Sequence, residues 1–221
     1  MAREIHDHFF REAKRHGYRS RAAYKLTELD DRWKLLKPGS RVLDCGAAPG
    51  SWCQIAAERI GPRGRVIGVD LKPIDPLPNL PTVTLLQGDL RETPAADLLE
   101  RAGGPFDLIL SDMAPFTTGD PRRDHHRSVR LVTFVLDQCP ALLAPGGSVV
   151  IKVFEGETYP ELLTRLRGMF ESSKGFKPKA SRQESVEMFL VGRGYRPAGA
   201  NKADTEASHT TPAPPRPKTG W

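Results

Sequence analysis

"RVLDCGAAPGSWCQIAAERIG", residues 41–61, passes from an apolar run through a turn rich in glycine and proline into a helical pattern. The run 41–46 reads as a short buried strand that ends in Gly46. Ser51 is a cap-type residue, and Gly61 stops the helix that follows. Strand, glycine turn and helix together form the opening unit of an open α/β sheet.

The same grammar repeats downstream. "RVIGVDL" (65–71), "TVTLLQGDL" (82–90), "FDLILSDMAP" (106–115), "SVVIKVF" (148–154) and "VEMFLVG" (186–192) are the further strands this pattern predicts. Helices are predicted over 51–61, from 128 into a turn ending at 147, and over 159–170. Upstream, the first 35 residues read as two helical segments broken at "HGY", with Tyr24, Leu26 and Leu29 giving an apolar side. Strands alternating with helices predict a parallel, doubly wound sheet. The stretch "SSKGFKPKASRQES" before the last strand leaves no room for a crossover helix, so that strand is expected to be antiparallel, added at the sheet edge. From residue 194 the chain is polar and proline-rich, which predicts a disordered tail over 194–221 behind a single domain at 1–193.

At 221 residues, 38% hydrophobic and 27% charged, the chain has the composition of a soluble globular protein. It shows no signal-peptide pattern and no apolar run of membrane-span length, which leads to the expectation of a cytoplasmic protein off the membrane. Cys45, Cys53 and Cys139 are odd in number and lack paired spacing, so they are expected to be reduced packing residues. "HDH" (6–8) and "DHH" (124–126) lack the spacing of a metal site, and none is expected.

The net charge of +6 is unevenly placed. Residues 11–25 carry +5, residues 121–130 carry +3, and Arg193 to the end carries +3, leaving −5 for the rest. Such clustering suits a polyanion such as nucleic acid, although solvated helix faces show it too.

In an open α/β sheet, ligands bind beyond the carboxyl ends of the strands. Those ends carry Gly46 and Gly50 in the first turn, then Asp70, Asp89, Asp112 and Lys152. An acid after the second strand is placed to bind ribose hydroxyls. A dinucleotide fingerprint would need G-x-G-x-x-G, but Ala48 and Ser51 stand at its second and third glycine positions. A phosphate-binding G-x-x-x-x-G-K-[ST] loop is absent as well. S-adenosylmethionine, a nucleoside without phosphate, fits a glycine loop followed by acidic strand ends. The plainer alternative is that the aspartates are turn and cap residues, and that Lys152 lets its amine reach water where a strand ends.

Seven segments in order, "RSRAAYKL" (19–26), "LKPGSRVLDCGAAPGSW" (36–52), "VIGVDLKPIDP" (67–76), "QGDL" (87–90), "SDMAP" (111–115), "LAPGGSVVIKVFEG" (143–156) and "SRQESVEMFLVG" (181–192), resemble the FtsJ-type ribosomal RNA 2′-O-ribose methyltransferases. The resemblance covers about residues 8–193. It implies a Rossmann-like class I methyltransferase with a mostly parallel, seven-stranded sheet and an antiparallel last strand. Segment 1–36 would be a helical, RNA-facing part of that domain. The resemblance also implies a catalytic group of Lys25, Asp112, Lys152 and Glu187, and S-adenosylmethionine bound by Gly46, Gly50, Trp52, Asp70, Asp89 and Asp112. The substrate it implies is a ribose, that of a uridine, in the RNA of the large ribosomal subunit, and the acting species a monomer. One departure is Phe116, where the family commonly has asparagine.

Those side chains suit the chemistry. A ribose hydroxyl is a weak nucleophile, and attack on a sulfonium methyl needs proton removal and in-line placement. Lys152 is the expected base, with Lys25 close enough to favour its neutral form and to steer the substrate phosphate or hydroxyl; the alternative is that Lys152 orients the hydroxyl while the proton leaves later. Asp112 and Glu187 would hold both amines while favouring their charged forms. Arginines near "AAYKL" and in "RRDHHR" are expected to contact phosphates. Transfer RNA or messenger-cap ribose methylation, a metabolite methyltransferase, and a silent RNA-binding assembly factor are the competing readings.

Overall fold

A computed structural model describes residues 2–181 and 185–198. In chain order the elements are α1 (Ala2–Arg15), α2 (Ala23–Trp33), β1 (Arg41–Cys45), α3 (Ser51–Ile60), β2 (Arg65–Asp70), β3 (Val83–Gln87), α4 (Ala95–Ala102), β4 (Phe106–Ser111), α5 (Pro121–Leu142), β5 (Leu143–Phe154), α6 (Tyr159–Met169), β6 (Phe170–Phe176) and β7 (Glu187–Tyr195). The seven strands form one sheet in the order β3-β2-β1-β4-β5-β7-β6. β1 to β5 pair in parallel, and β7 runs antiparallel to both β5 and β6. This is the expected mostly parallel α/β sheet with an antiparallel last strand.

Side chains alternate between faces along a strand, and the two halves of the core follow that parity. Leu43, Cys45, Ile67, Val69, Ile109, Val149 and Ile151 pack under α4, α5 and α6. Val42, Val66, Leu108, Leu110, Val150 and Phe189 pack under α2 and α3. A buried Asp30 fastens α2 to α3: one oxygen accepts from Leu36 N (2.7 Å) and the other pairs with Arg59 (2.7 Å).

In the sheet, three features depart from expectation. The last strand is antiparallel but is not at the edge; it lies between β5 and β6. β6 itself falls in the stretch read as a connection, because "FESSKGF" is polar and buries only Phe170 fully. An edge strand with one neighbour does not need the apolar run that marks a central strand. β7 also continues to Tyr195, past the expected domain end at 193, where the Tyr195 ring is buried against Phe170 at 5.4 Å. The expected tail from 199 onward lies outside the described residues.

Helix α5 starts at Pro121 rather than 128, and α4 was not expected at all. Asp120 caps α5 by accepting from Arg122 N and Arg123 N, and Pro121 fills its first turn, a start signal that was present in the sequence. No helix among the described residues is long and apolar enough to cross a membrane.

Candidate active site

Sheet register assembles the charged group. Ser111 at the end of β4 is level with Ile151, which places Asp112 beside Lys152. On the other side Lys152 is level with Phe189 and Phe154 with Glu187. Lys152 and Glu187 are therefore diagonal neighbours on one sheet face, a separation that long side chains bridge. That face has the parity of Val150, the side covered by α2, and α2 brings Lys25 down onto it with its ammonium 5.8 Å from the Phe189 ring centre.

All four expected catalytic side chains meet. Lys25 Nζ lies 2.9 Å from Glu187 Oε2 and 4.0 Å from Asp112 Oδ1. Lys152 Nζ lies 2.9 Å from Asp112 Oδ1 and 3.7 Å from Glu187 Oε1, and it donates to the Asp112 main-chain carbonyl at 2.6 Å. Each ammonium thus faces both carboxylates. The lysines are only 7% and 6% exposed, and such charges are tolerated inside a protein only when paired. Burial alone would raise the Glu187 carboxyl, but Lys25 and Lys152 outweigh it and hold that group below the usual glutamate range.

The expected cofactor residues sit along the same sheet end. Gly46 (φ +77°) and Gly50 (φ +104°) adopt the left-handed backbone that favours glycine. A methyl group on Gly46 would lie 2.5 Å from Met113 Cγ, so the loop after β1 and the segment after β4 touch. Asp70 Oδ2 accepts from Ala48 N (2.9 Å) and Oδ1 from Lys72 N (2.8 Å), which joins the glycine loop to the loop after β2. Asp89 is paired with Arg91 through both carboxylate oxygens, and that guanidinium lowers its carboxyl. Trp52 is 3% exposed; its indole donates to Ala22 O at 2.7 Å and its rings lie 5.8 Å from Phe189, so the side chain is committed to the core. Phe116 is 88% exposed on the loop between Asp112 and α5.

Two features outside the expected set stand out. His125, in the stretch set aside as a non-metal "DHH", is buried and pairs with Phe154 O (2.8 Å) while accepting from Thr158 N (3.1 Å). It fastens the start of α5 to the loop beyond Lys152. Asp44 was missed: it is 0% exposed, on the face of Val42 beneath α3, with Oδ2 accepting from Cys53 Sγ at 3.2 Å. Its Oδ1 has no hydrogen-bond partner among the described residues. The sequence signal was a carboxylate inside the apolar run "RVLDC".

Burial, assisted by Asp112 and Asp70 and opposed by the Cys53 bond, pushes the Asp44 carboxyl up to about 7. An unfolded aspartate releases its proton near the ordinary value of about 3.9. Between these values the folded chain holds a proton that the unfolded chain has lost, so this group's contribution to stability falls as pH rises and is fully lost above about 7. Asp44→Asn has the same shape and no titration. Its melting temperature relative to wild type is therefore expected to climb from pH 5 to pH 8, and a difference that stays flat with pH would contradict the assignment.

The model of the FtsJ-like methyltransferase family matches residues 18–195. The chain is 48% identical over 202 residues to the ribosomal RNA large subunit methyltransferase E of Paramagnetospirillum magneticum, covering 89% of this chain and 82% of that one. It is 46% identical over 197 residues to the protein of the same name from Syntrophobacter fumaroxidans, covering 89% and 99%. Among solved structures, a ribosomal RNA methyltransferase of Plasmodium falciparum superposes with a TM-score of 0.70 at 33% identity, covering 80% of this chain and 98% of that one.

Proposed function

Since the chain belongs to the FtsJ-like methyltransferase family, we propose that it methylates the 2′-hydroxyl of a ribose, that of a uridine, in the RNA of the large ribosomal subunit. The methyl donor is S-adenosylmethionine, and the protein acts in the cytoplasm as a monomer. The observation that carries this reading is the meeting of Lys25, Asp112, Lys152 and Glu187, drawn from four separate parts of the chain, within 4.0 Å contacts at the carboxyl end of the sheet. A protein that only bound RNA would have no chemical need for two buried ammoniums and two carboxylates at one point.

The residues present suit this donor. Gly46 and Gly50 keep the loop backbone bare, and Asp70 after β2 offers a carboxylate for hydroxyl groups, whereas the Asp89 carboxylate after β3 would have to leave Arg91 to do the same. The Trp52 side chain is engaged elsewhere, since its indole donates to Ala22 O. When bound, S-adenosylmethionine supplies an electrophilic methyl group on a positive sulfur.

The chain's own residues prepare the attacking oxygen. Lys152 Nζ, aimed by the carbonyl and carboxylate of Asp112, would hold the hydroxyl and, in its unprotonated form, take up the hydroxyl proton. Lys25, held by Glu187, steers the neighbouring phosphate. The exposed Arg122 and Arg123 at the start of α5 extend the positive surface beside the Phe116 loop, where phosphate contacts would set position without reading sequence.

The test offers labelled S-adenosylmethionine and purified protein to unmodified large subunits, free ribosomal RNA and transfer RNA. Label in large-subunit RNA is expected. Label confined to transfer RNA would overturn the substrate, and cofactor binding without any transfer would overturn the enzymatic reading.

A further inference from the structure

The segment between α1 and α2 is stitched to α3. Arg19 N donates to Gln54 Oε1 (2.9 Å), Gln54 Nε2 donates back to Gly17 O (2.9 Å), and Ser20 Oγ lies 2.8 Å from Ser51 Oγ. From this anchored backbone the Arg19 side chain reaches the junction of two loops. Nη1 donates to Pro49 O (2.9 Å) in the glycine loop and to Asp75 O (2.6 Å) in the loop after β2, and Nη2 donates to Pro76 O (2.6 Å). The guanidinium lies against Gly50, where an added methyl group would come within 3.0 Å of Nη1.

These are the two loops that Asp70 joins from the other side. Asp70 accepts their N–H groups at Ala48 and Lys72, and Arg19 donates to their carbonyls at Pro49, Asp75 and Pro76. An anion and a cation thus hold one loop pair through its opposite polar groups. A planar guanidinium can do this because its donors are fixed in a fork that spans two chains, whereas an ammonium is a single point of charge. With three carbonyls engaged, the same fork is withdrawn from bidentate phosphate binding, the role expected of arginines in this segment.

We propose that Arg19 is a positioning residue for the methyl donor, setting the spacing of the glycine loop and the 71–76 loop, and is not a contact to RNA. The inference rests on the reading that these loops hold S-adenosylmethionine.

The test measures donor affinity by calorimetry, steady-state constants for donor and RNA, and the salt dependence of RNA binding, for wild type, Arg19→Ala and Arg19→Lys. Losing charged hydrogen bonds that shape the pocket is expected to weaken donor binding about tenfold to a hundredfold in Arg19→Ala. The KM for donor should rise, while kcat at saturating donor, the KM for RNA and the salt slope stay near wild type. Arg19→Lys keeps the charge but not the fork, so its donor affinity should fall nearly as far; millimolar methylguanidinium should restore part of the loss in Arg19→Ala. Wild-type donor affinity in both variants, with a salt slope reduced by about one in Arg19→Ala, would overturn the proposal and make Arg19 a phosphate contact. A wild-type protein that binds no S-adenosylmethionine would remove the premise itself, a failure visible before any variant is made.

Discussion

Lys152→Ala should lower kcat for methyl transfer by about 10²–10⁴-fold, the range expected for losing a positioned proton acceptor, while donor affinity stays near wild type. Lys152 lies on β5, where its ammonium contacts Asp112 and Glu187; the glycine loop and Asp70 that would hold the donor belong to β1 and β2. Its removal leaves Lys25 to face both carboxylates at 2.9 Å and 4.0 Å, so the site stays partly neutralised and the fold should survive. Lys152→Arg tests the chemistry separately from charge. A guanidinium keeps the positive charge but is not deprotonated in proteins, so this variant should be as inactive as the alanine. Turnover near wild type in either variant would refute the role given to Lys152.

Asp112→Ala is expected to remove both donor binding and turnover, and to destabilise the protein. Asp112 is the point where the two halves of the site meet. Its carboxylate pairs with Lys152 at 2.9 Å, and the next residue, Met113, packs against Gly46 of the glycine loop. Without it, two buried ammoniums share Glu187 alone. Breaking a buried ion pair from one side costs about 3–5 kcal/mol, which should appear as a clear fall in melting temperature. Titration calorimetry with S-adenosylmethionine and a thermal scan check the two halves of this expectation. Normal donor affinity in Asp112→Ala would contradict the shared role.

Parity and strand ends made much of this site legible. Apolar runs with a polar residue at each carboxyl end place Asp70, Asp89, Asp112 and Lys152 along one end of the sheet from the sequence alone. Lys25 and Glu187 were a different matter. Nothing local marks a lysine on α2 as a partner of a residue on β7, and only the family resemblance joined them; the β5–β7 register and the docking of α2 then explain why they touch.

Elsewhere the physics left little trace in local sequence. β6 buries one phenylalanine and otherwise reads as a polar connection, so the place of β7 inside the sheet could not be seen. Asp44 stands two residues before a glycine in the sequence, and its burial depends on α3 covering that face. Arg19 sat in a run of basic residues that suggested RNA, because hydrogen bonds to three carbonyls 30 to 57 residues away have no local signature.

The measurement closest to the central claim is the chemical identity of the product. Unmodified large subunits incubated with S-adenosylmethionine and either wild-type protein or Lys152→Ala are digested to nucleosides and analysed by mass spectrometry. Wild type is expected to yield 2′-O-methyluridine, and the variant about a hundredfold or more less in the same time. A methyl group on a base, or equal 2′-O-methylation by the variant, would refute the role of Lys152 in ribose methylation.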